Sequence, residues 1–175
     1  MRDDVVSPAG VEHAELVDTI IRAAFSDTAH GYQGEGALVR QLAADGDELV
    51  SVIHWRDGVA VGHAFFSRMD VEADGSPLAA AALAPVSVLP AFQGQGIGAG
   101  LIRAGLAILK DKGIDISFVL GHESYYPRFG YSPKLAARFA SPFAGPHLMA
   151  MMLDSEADWP QGGRADYAPA FGRLG

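Results

Sequence analysis

The stretch PAFQGQGIGAGLI, residues 90–102, places Gly94, Gly96, Gly98 and Gly100 at every second position and then runs into apolar residues. Glycine at a helix start costs about 1 kcal/mol per residue against alanine, so bare backbone must serve some purpose there. The first turn of a helix carries unpaired N–H donors and a partial positive charge, and glycines leave both uncovered. Phosphate is the ligand such a cradle attracts, without help from basic side chains. A tight turn with a closely packed helix is the ordinary reading of a lone glycine pair; four glycines after a strand favour phosphate.

The type of phosphate site is narrowed by what surrounds the glycines. A nucleotide P-loop ends in Gly-Lys-Ser or Gly-Lys-Thr, and no such ending follows. The dinucleotide fingerprint matches formally at Gly94, Gly96 and Ala99, with Asp115 about twenty residues on. Asp115, however, falls at the start of the next strand, whereas a ribose-binding acid belongs at its end. Pro90–Gln93 also makes the turn too long.

Other residues with chemical capacity follow. Tyr126 offers a phenol, His122 an imidazole and Glu123 a carboxylate. His122 and Glu123 come directly after a predicted strand, at the end where sites in open α/β sheets form. His63, in GHAFF, alternates with apolar neighbours and reads as a core histidine. His30 and Tyr32 sit in a turn-rich loop that can line an acceptor pocket. No cysteine is present, which removes disulfides, thiolate metal sites and a cysteine nucleophile. No His/Asp/Glu spacing argues for a metal.

These groups need elements to position them. Apolar periodicity predicts helices over 11–25, 35–44 and 98–112, the last stopped by Lys110, Lys112 and Gly113. Runs 48–55 and 59–67, joined by Arg56-Asp57-Gly58, read as a β-hairpin. A further strand fits 79–89, with Pro85 marking a bulge or a lost ladder bond. Strand 114–120 closes a β–α–β unit around the glycines, and 147–153 reads as a weaker strand. The remaining tail reads as irregular.

The length, 175 residues, suggests a single domain over 1–175. The acidic start MRDDVVSPAG lacks a signal-peptide segment and no run is long enough to cross a membrane, so a cytoplasmic protein without a membrane partner is expected. The net charge of −8 with scattered Lys and Arg lacks the basic stripe of a nucleic-acid binder. It mildly favours a cationic small substrate.

The pattern Gln93-x-x-Gly96-x-Gly98, within VSVLPAFQGQGIGAGLI, resembles the pyrophosphate loop of the GNAT superfamily of acyl-CoA N-acetyltransferases. YYPRFGY, residues 125–131, resembles that family's Tyr-x-x-x-Gly-Phe element, with Tyr131 in place of phenylalanine. ADGDELVSVI, GHAFFS, VLGHESYYPRFGY and ADYAPAF extend the likeness to a bacterial subgroup of predicted acetyltransferases. That subgroup usually carries Asp-Pro or a similar pair where this chain has His122-Glu123. The resemblance implies an α/β (α+β) fold: a mixed, mostly antiparallel sheet with helices on both faces and a splayed central strand. It implies acetyl transfer from acetyl-CoA to a primary amine, expected here to be a small molecule, by direct attack in a ternary complex. Gln93, Gly94, Gln95, Gly96, Ile97 and Gly98 would hold the pyrophosphate. Val86, Ser87 and Val88 would lie along the pantetheine arm, with the Val86 N–H polarising the acetyl carbonyl. Tyr126 would serve the departing sulfur and His122 the amine, while Glu123, His30 and Tyr32 are candidate acceptor contacts. No strand 79–89 carboxylate supplies the base found in many relatives, so a non-catalytic acyl-CoA-binding module is the rival expectation. No metal is implied, and a homodimer is left open.

Overall fold

The computed structural model describes residues 1–26 and 28–173. Asp27, in the predicted turn after the first helix, and the last two residues of the tail lie outside it. Among the described residues, strands β1 (Asp4–Pro8), β2 (Glu48–Arg56), β3 (Val59–Ala73) and β4 (Ser76–Val88) pair antiparallel in that order. β4 then pairs parallel with β5 (Ile116–Leu120), which pairs antiparallel with β7 (Leu148–Met152). β3 is 15 residues long and outruns β2. Its second half takes β8 (Gly163–Tyr167) as partner, and the short β6 (Phe139–Ala140) lies beyond. The sheet is therefore mixed and mostly antiparallel, as expected.

The two hairpins are set by turn chemistry. Asp57 and Gly58 have φ of 51° and 79°, and Asp74 and Gly75 have φ of 52° and 84°. Positive φ at both central residues matches the right-handed twist of the strands. The second turn is tighter than the sequence suggested: β4 begins at Ser76 rather than 79.

Helices cover both faces. α1 (Ala14–Ser26) buries Val17, Ile20, Ile21 and Ala24, and α2 (Glu35–Ala44) buries Leu38, Val39 and Leu42. Neighbouring Phe65 and Phe66 separate the faces, because successive strand residues point opposite ways. Phe65 packs with α1 and α2. Phe66 packs with Leu101, Leu106 and Leu109 of α3 (Ile97–Asp111). The one-turn α4 (Pro133–Ala136) seals the sheet around Phe118 and Phe139. No helix among the described residues is long and apolar enough to cross a membrane.

Two expectations need correction. Residues 4–8 and 163–167, read as terminus and irregular tail, are strands. Both are only five residues long, and β1 shows no buried residue, so neither carries a strong local signal. Their partners lie far along the chain, Asp4 opposite Arg56 and Arg164 opposite Glu72, and such pairing follows tertiary context more than propensity.

The central strand diverges as the resemblance implied. β4 pairs with β5 only from Ala80 to Leu83, yet continues to Val88 along β3. A bulge marks the change: Phe66 opposes Leu83 and Ala64 opposes Val86, leaving Ala84 and Pro85 against Phe65 alone. Proline has no N–H to give a ladder, so Pro85 fits the break.

Close packing places α3 over this region. A Cβ on Gly105 would fall 2.1 Å from the fully buried Phe66 ring, whereas one on Gly100 would meet nothing within 4 Å. Helix propensity favours alanine at both by about 1 kcal/mol, but overpacking costs about 1–3 kcal/mol. Gly105→Ala is expected to lower unfolding stability by about 1–3 kcal/mol and Gly100→Ala to raise it by up to about 1 kcal/mol; urea denaturation of both variants checks the pair.

Candidate active site

The glycine loop joins β4 to α3. Gly94 and Gly96 have φ of 74° and 83°, and a Cβ on either would point into open space. Gly96 is the N-cap of α3 and supplies no side-chain acceptor. The first intrahelical bond at this end runs from Gly100 N–H to Gly96 C=O, 3.0 Å. The N–H groups of Ile97, Gly98 and Ala99 are thus the helix's unpaired donors. They border a hollow of about 360 Å³ lined by Val88, Phe92, Gln93, Gly94, Gly96, Ile97, Gly98, Ala99, Tyr125 and Arg128. Ile97 is itself buried at 2 % exposure, so only its backbone can serve a ligand. Open space beside positive-φ glycines, with uncapped donors at a helix start, fits a diphosphate.

The glutamines in this loop work on the protein. Gln93 donates its side-chain amide to the Val88 carbonyl, 3.0 Å, pinning the loop to the end of β4. Gln95 accepts from Arg56 and Arg2 and turns its amide to the Ala91 carbonyl.

The free edge of β4 presents backbone polar groups. Leu89 N–H donates to Val61 C=O on β3, 2.9 Å. By the alternation of an antiparallel ladder, Ser87 also faces β3 with its backbone, while Val86 and Val88 direct theirs toward the splay. The contact of Gln93 with Val88 C=O agrees. The side chains of Val86 and Val88 lie on the α3 face near Gly98. That of Ser87 points to the other face, is 1 % exposed, and its hydroxyl has no partner among the described residues.

The second motif forms the far wall. Tyr125 brings its hydroxyl 3.6 Å from where a Gly98 Cβ would lie. Arg128 stacks on the Tyr125 ring at 4.3 Å and donates to its carbonyl at 2.8 Å. Both line the hollow, and neither stood among the residues the sequence singled out. An aromatic beside Tyr126 and a cation within the motif were the available signals. Tyr126 packs edge-on against Tyr125 and Tyr131 and closely over Gly121. Burial, with a smaller contribution from Tyr125, pushes its phenol up to about 12. Tyr131 is buried and its hydroxyl is shared with Ser117 at 2.8 Å.

The remaining candidates lie apart from the hollow. His122 and Glu123 are exposed, and the His122 carbonyl accepts from the N–H of Tyr125 and Tyr126 at 3.1 and 3.4 Å. His30 is exposed. Tyr32 accepts from Gly36 N–H at 3.2 Å and lies under the Arg22 guanidinium at 4.5 Å. The structure therefore brings Val88, Gln93, Gly94, Gly96, Ile97, Gly98, Tyr125 and Arg128 around one hollow, keeps Gln95, Val86, Ser87 and Tyr126 outside its lining, and leaves His30 and Tyr32 at the α1–α2 corner. His63 is fully buried; its Nε2 lies 2.8 Å from Ser51 Oγ, and burial lowers its pKa to about 4.

The fold is that of an acetyltransferase (GNAT) domain, and residues 12–134 match the model for that family. The chain belongs to that family. It is similar to the Escherichia coli K12 protein YjhQ, named an uncharacterized N-acetyltransferase, at 38% identity over 107 residues, covering 60% of this chain and 59% of YjhQ. It is 31% identical over 116 residues to E. coli YhbS, also named an uncharacterized N-acetyltransferase, covering 66% of this chain and 65% of YhbS. The matches thus span less than two thirds of either relative. Among solved structures, a GNAT family acetyltransferase from Brucella melitensis, in complex with acetyl-CoA, aligns at TM-score 0.79 and 31% identity over 97% of this chain and 98% of that one. The E. coli YhbS structure, in complex with CoA, aligns at 0.86 and 24% identity, over 100% and 95% of the two chains, and speaks for the fold.

Two outcomes follow from this geometry. Gly96→Glu introduces bulk and negative charge beside the free donors. Left-handed strain of about 1–2 kcal/mol is tolerable, so the variant should fold yet show no CoA binding by calorimetry. His63 is neutral when folded down to about pH 4, whereas an unfolded histidine protonates near 6.5. Between those values the unfolded state holds the extra proton, so stability falls as pH drops, by about 1.4 kcal/mol per pH unit. Urea melts at pH 7 and pH 5 should show a smaller loss for His63→Gln than for the wild type.

Proposed function

We propose that the chain, acting as one domain, transfers an acetyl group from acetyl-CoA to a primary amine of a small molecule. The observation that carries this reading is the uncapped start of α3, open beside Gly94 and Gly96 and continuous with the unpaired edge of β4. A diphosphate at the first and an extended pantetheine arm along the second use the same set of free main-chain groups. The acetyl-CoA complex of the Brucella melitensis relative supports the choice of ligand.

The reaction is direct. The neutral amine nitrogen attacks the thioester carbon, the C–S bond breaks, and the sulfur leaves with the electron pair. No cysteine exists to carry the acetyl group in between. The Val86 N–H, facing the splay, donates to the carbonyl oxygen as negative charge grows there; one such donor contributes about 100- to 1000-fold in rate. Tyr126 serves the sulfur. Its phenol, pushed up to about 12, is a far weaker acid than a thiol near 8.5, so full proton transfer would be uphill by about 5 kcal/mol. Tyr126 therefore acts chiefly by hydrogen-bond donation, and solvent or the acceptor's own proton completes the neutralisation. His122 and Glu123, exposed after β5, stand where a cationic acceptor would approach, with His122 taking the amine proton through water.

A second reading, a non-catalytic acyl-CoA-binding module, is favoured by one observation: β4, SPLAAAALAPVSV, carries no carboxylate to act as base. Thiol release from acetyl-CoA measured across an amine panel separates the two. Binding of CoA with no release on any acceptor overturns the enzymatic reading. Given turnover, Tyr126→Phe is expected to lower kcat about 10- to 100-fold while the acetyl-CoA Kd stays within about threefold; an unchanged kcat would remove the role assigned to its hydroxyl.

A further inference from the structure

The Gly94-Gln95-Gly96 segment has one side chain between two glycines in left-handed conformation. Such backbone is soft, since glycine has the widest choice of conformations in the unbound state. Any rigidity must come through Gln95, and the structure holds that side chain from both ends. Its Oε1 accepts from Arg56 Nη1 and, at 3.4 Å, from Arg2 Nη1; its Nε2 donates to Ala91 C=O at 3.5 Å. Arg56 is only 9 % exposed. It is aimed by a two-pronged contact with Asp4, Nε to Oδ1 at 2.8 Å and Nη2 to Oδ2 at 3.2 Å. Asp4 in turn takes His54 Nε2 at 3.3 Å. Asp4 lies on β1, opposite Arg56 in register and outside the residues 12–134 that match the shared domain model.

We propose that Asp4 and Arg56 are positioning residues for the glycine loop: the β1 carboxylate fixes the guanidinium, and the guanidinium fixes Gln95 and with it the peptide planes on either side. This rests on the loop being the diphosphate cradle. Ordering a residue costs about 1–2 kcal/mol in backbone entropy, so a loop ordered before binding retains more of the contact energy as affinity. Arg56 is the right residue for the task because its planar fork can meet a carboxylate with two N–H groups while a third reaches Gln95; lysine offers a single point of charge. The Asp4 contact also uses the guanidinium's donors on the protein, so Arg56 acts through Gln95 rather than on the ligand.

The test uses the whole chain and two readouts. Backbone nitrogen relaxation on the ligand-free protein should show lower order parameters at residues 94–96 in Asp4→Asn and Arg56→Lys, with those in α3 beyond Leu101 unchanged. Calorimetry with CoA should show Kd raised about 5- to 30-fold in both variants and in Gln95→Ala, with KM for acetyl-CoA following Kd and kcat within about twofold for Asp4→Asn. Asp4→Glu, which keeps the carboxylate, should restore part of the affinity. Unchanged loop order parameters in Asp4→Asn overturn the positioning role whether or not CoA binds. Unchanged CoA affinity in Gln95→Ala with a large loss in Arg56→Lys also overturns it, since the guanidinium would then touch the ligand directly. Failure of the wild type to bind CoA, with the order parameters behaving as expected, removes the cradle's ligand but leaves the clamp standing.

Discussion

A main-chain N–H taken out of a ladder, or left at a helix start, must find another acceptor or stay in contact with solvent, and two such sets lie side by side in this protein. β4 loses its partner after Leu83 while β3 continues to hold its other edge. Eight residues beyond Val88, the last residue of β4, Gly96 caps α3 with no side chain to satisfy the first turn. The bulge at Ala84–Pro85 separates the paired from the unpaired part of β4. Gln93 then ties the loop back to the last carbonyl of the strand. The two sets of donors are thereby held in one frame, and only a ligand that is extended at one end and anionic at the other can use both.

The packing that keeps this frame rigid is not at the site itself. α3 reaches the sheet closely because Gly105 admits the Phe66 ring and Gly62 admits Ile97 and Leu101. Phe66, Leu101 and Leu109 are wholly buried, and each such side chain contributes about 1.5–3 kcal/mol through burial. The helix can therefore leave its first turn uncapped, a loss of about 1 kcal/mol, because its apolar face more than offsets it. On the other side of the sheet His63 and Ser87 stand opposite one another in register, each with a buried polar atom that lacks a partner among the described residues. Each such atom costs about 1–3 kcal/mol, which the surrounding core must offset.

Much of this was legible in the chain. Local signals announce the β–α–β unit: the apolar period of residues 98–112, the stop at Lys112-Gly113, and the proline within 79–89. The glycine spacing announces exposed backbone, and the hairpin signal at Arg56-Asp57-Gly58 was unambiguous. What could not be read was anything that depends on residues far apart. β1 has the sequence DVVSP with no buried position; it is a strand because β2 offers it an edge. β8 exists because β3 is longer than β2. Arg128 and Tyr125 could not be picked out for the same reason: Gly96 and Gly98, their neighbours in the hollow, are separated from them in sequence by α3 and β5. Only the fold shows that the loop after β5 closes over the start of α3.

Electrostatics follow from the same arrangement. A chain of net charge −8 has no general attraction for a polyanion, and screening confines any single charge to about 8–10 Å at physiological salt. Local field is what counts. Arg128 lines the hollow directly, and Arg2 donates to Gln95. Arg56 is largely neutralised by Asp4, whose carboxyl is held down at about 2, first by its hydrogen bond to Arg56 and then by His54. The carboxylate therefore stays ionised across the physiological range, and the pair presents order rather than net charge. On the proposed reading, attraction for a diphosphate comes chiefly from oriented backbone dipoles, which act over one helical turn and only in the right geometry. An acidic protein can hold an anion on those terms, because the selectivity lies in where its N–H groups point.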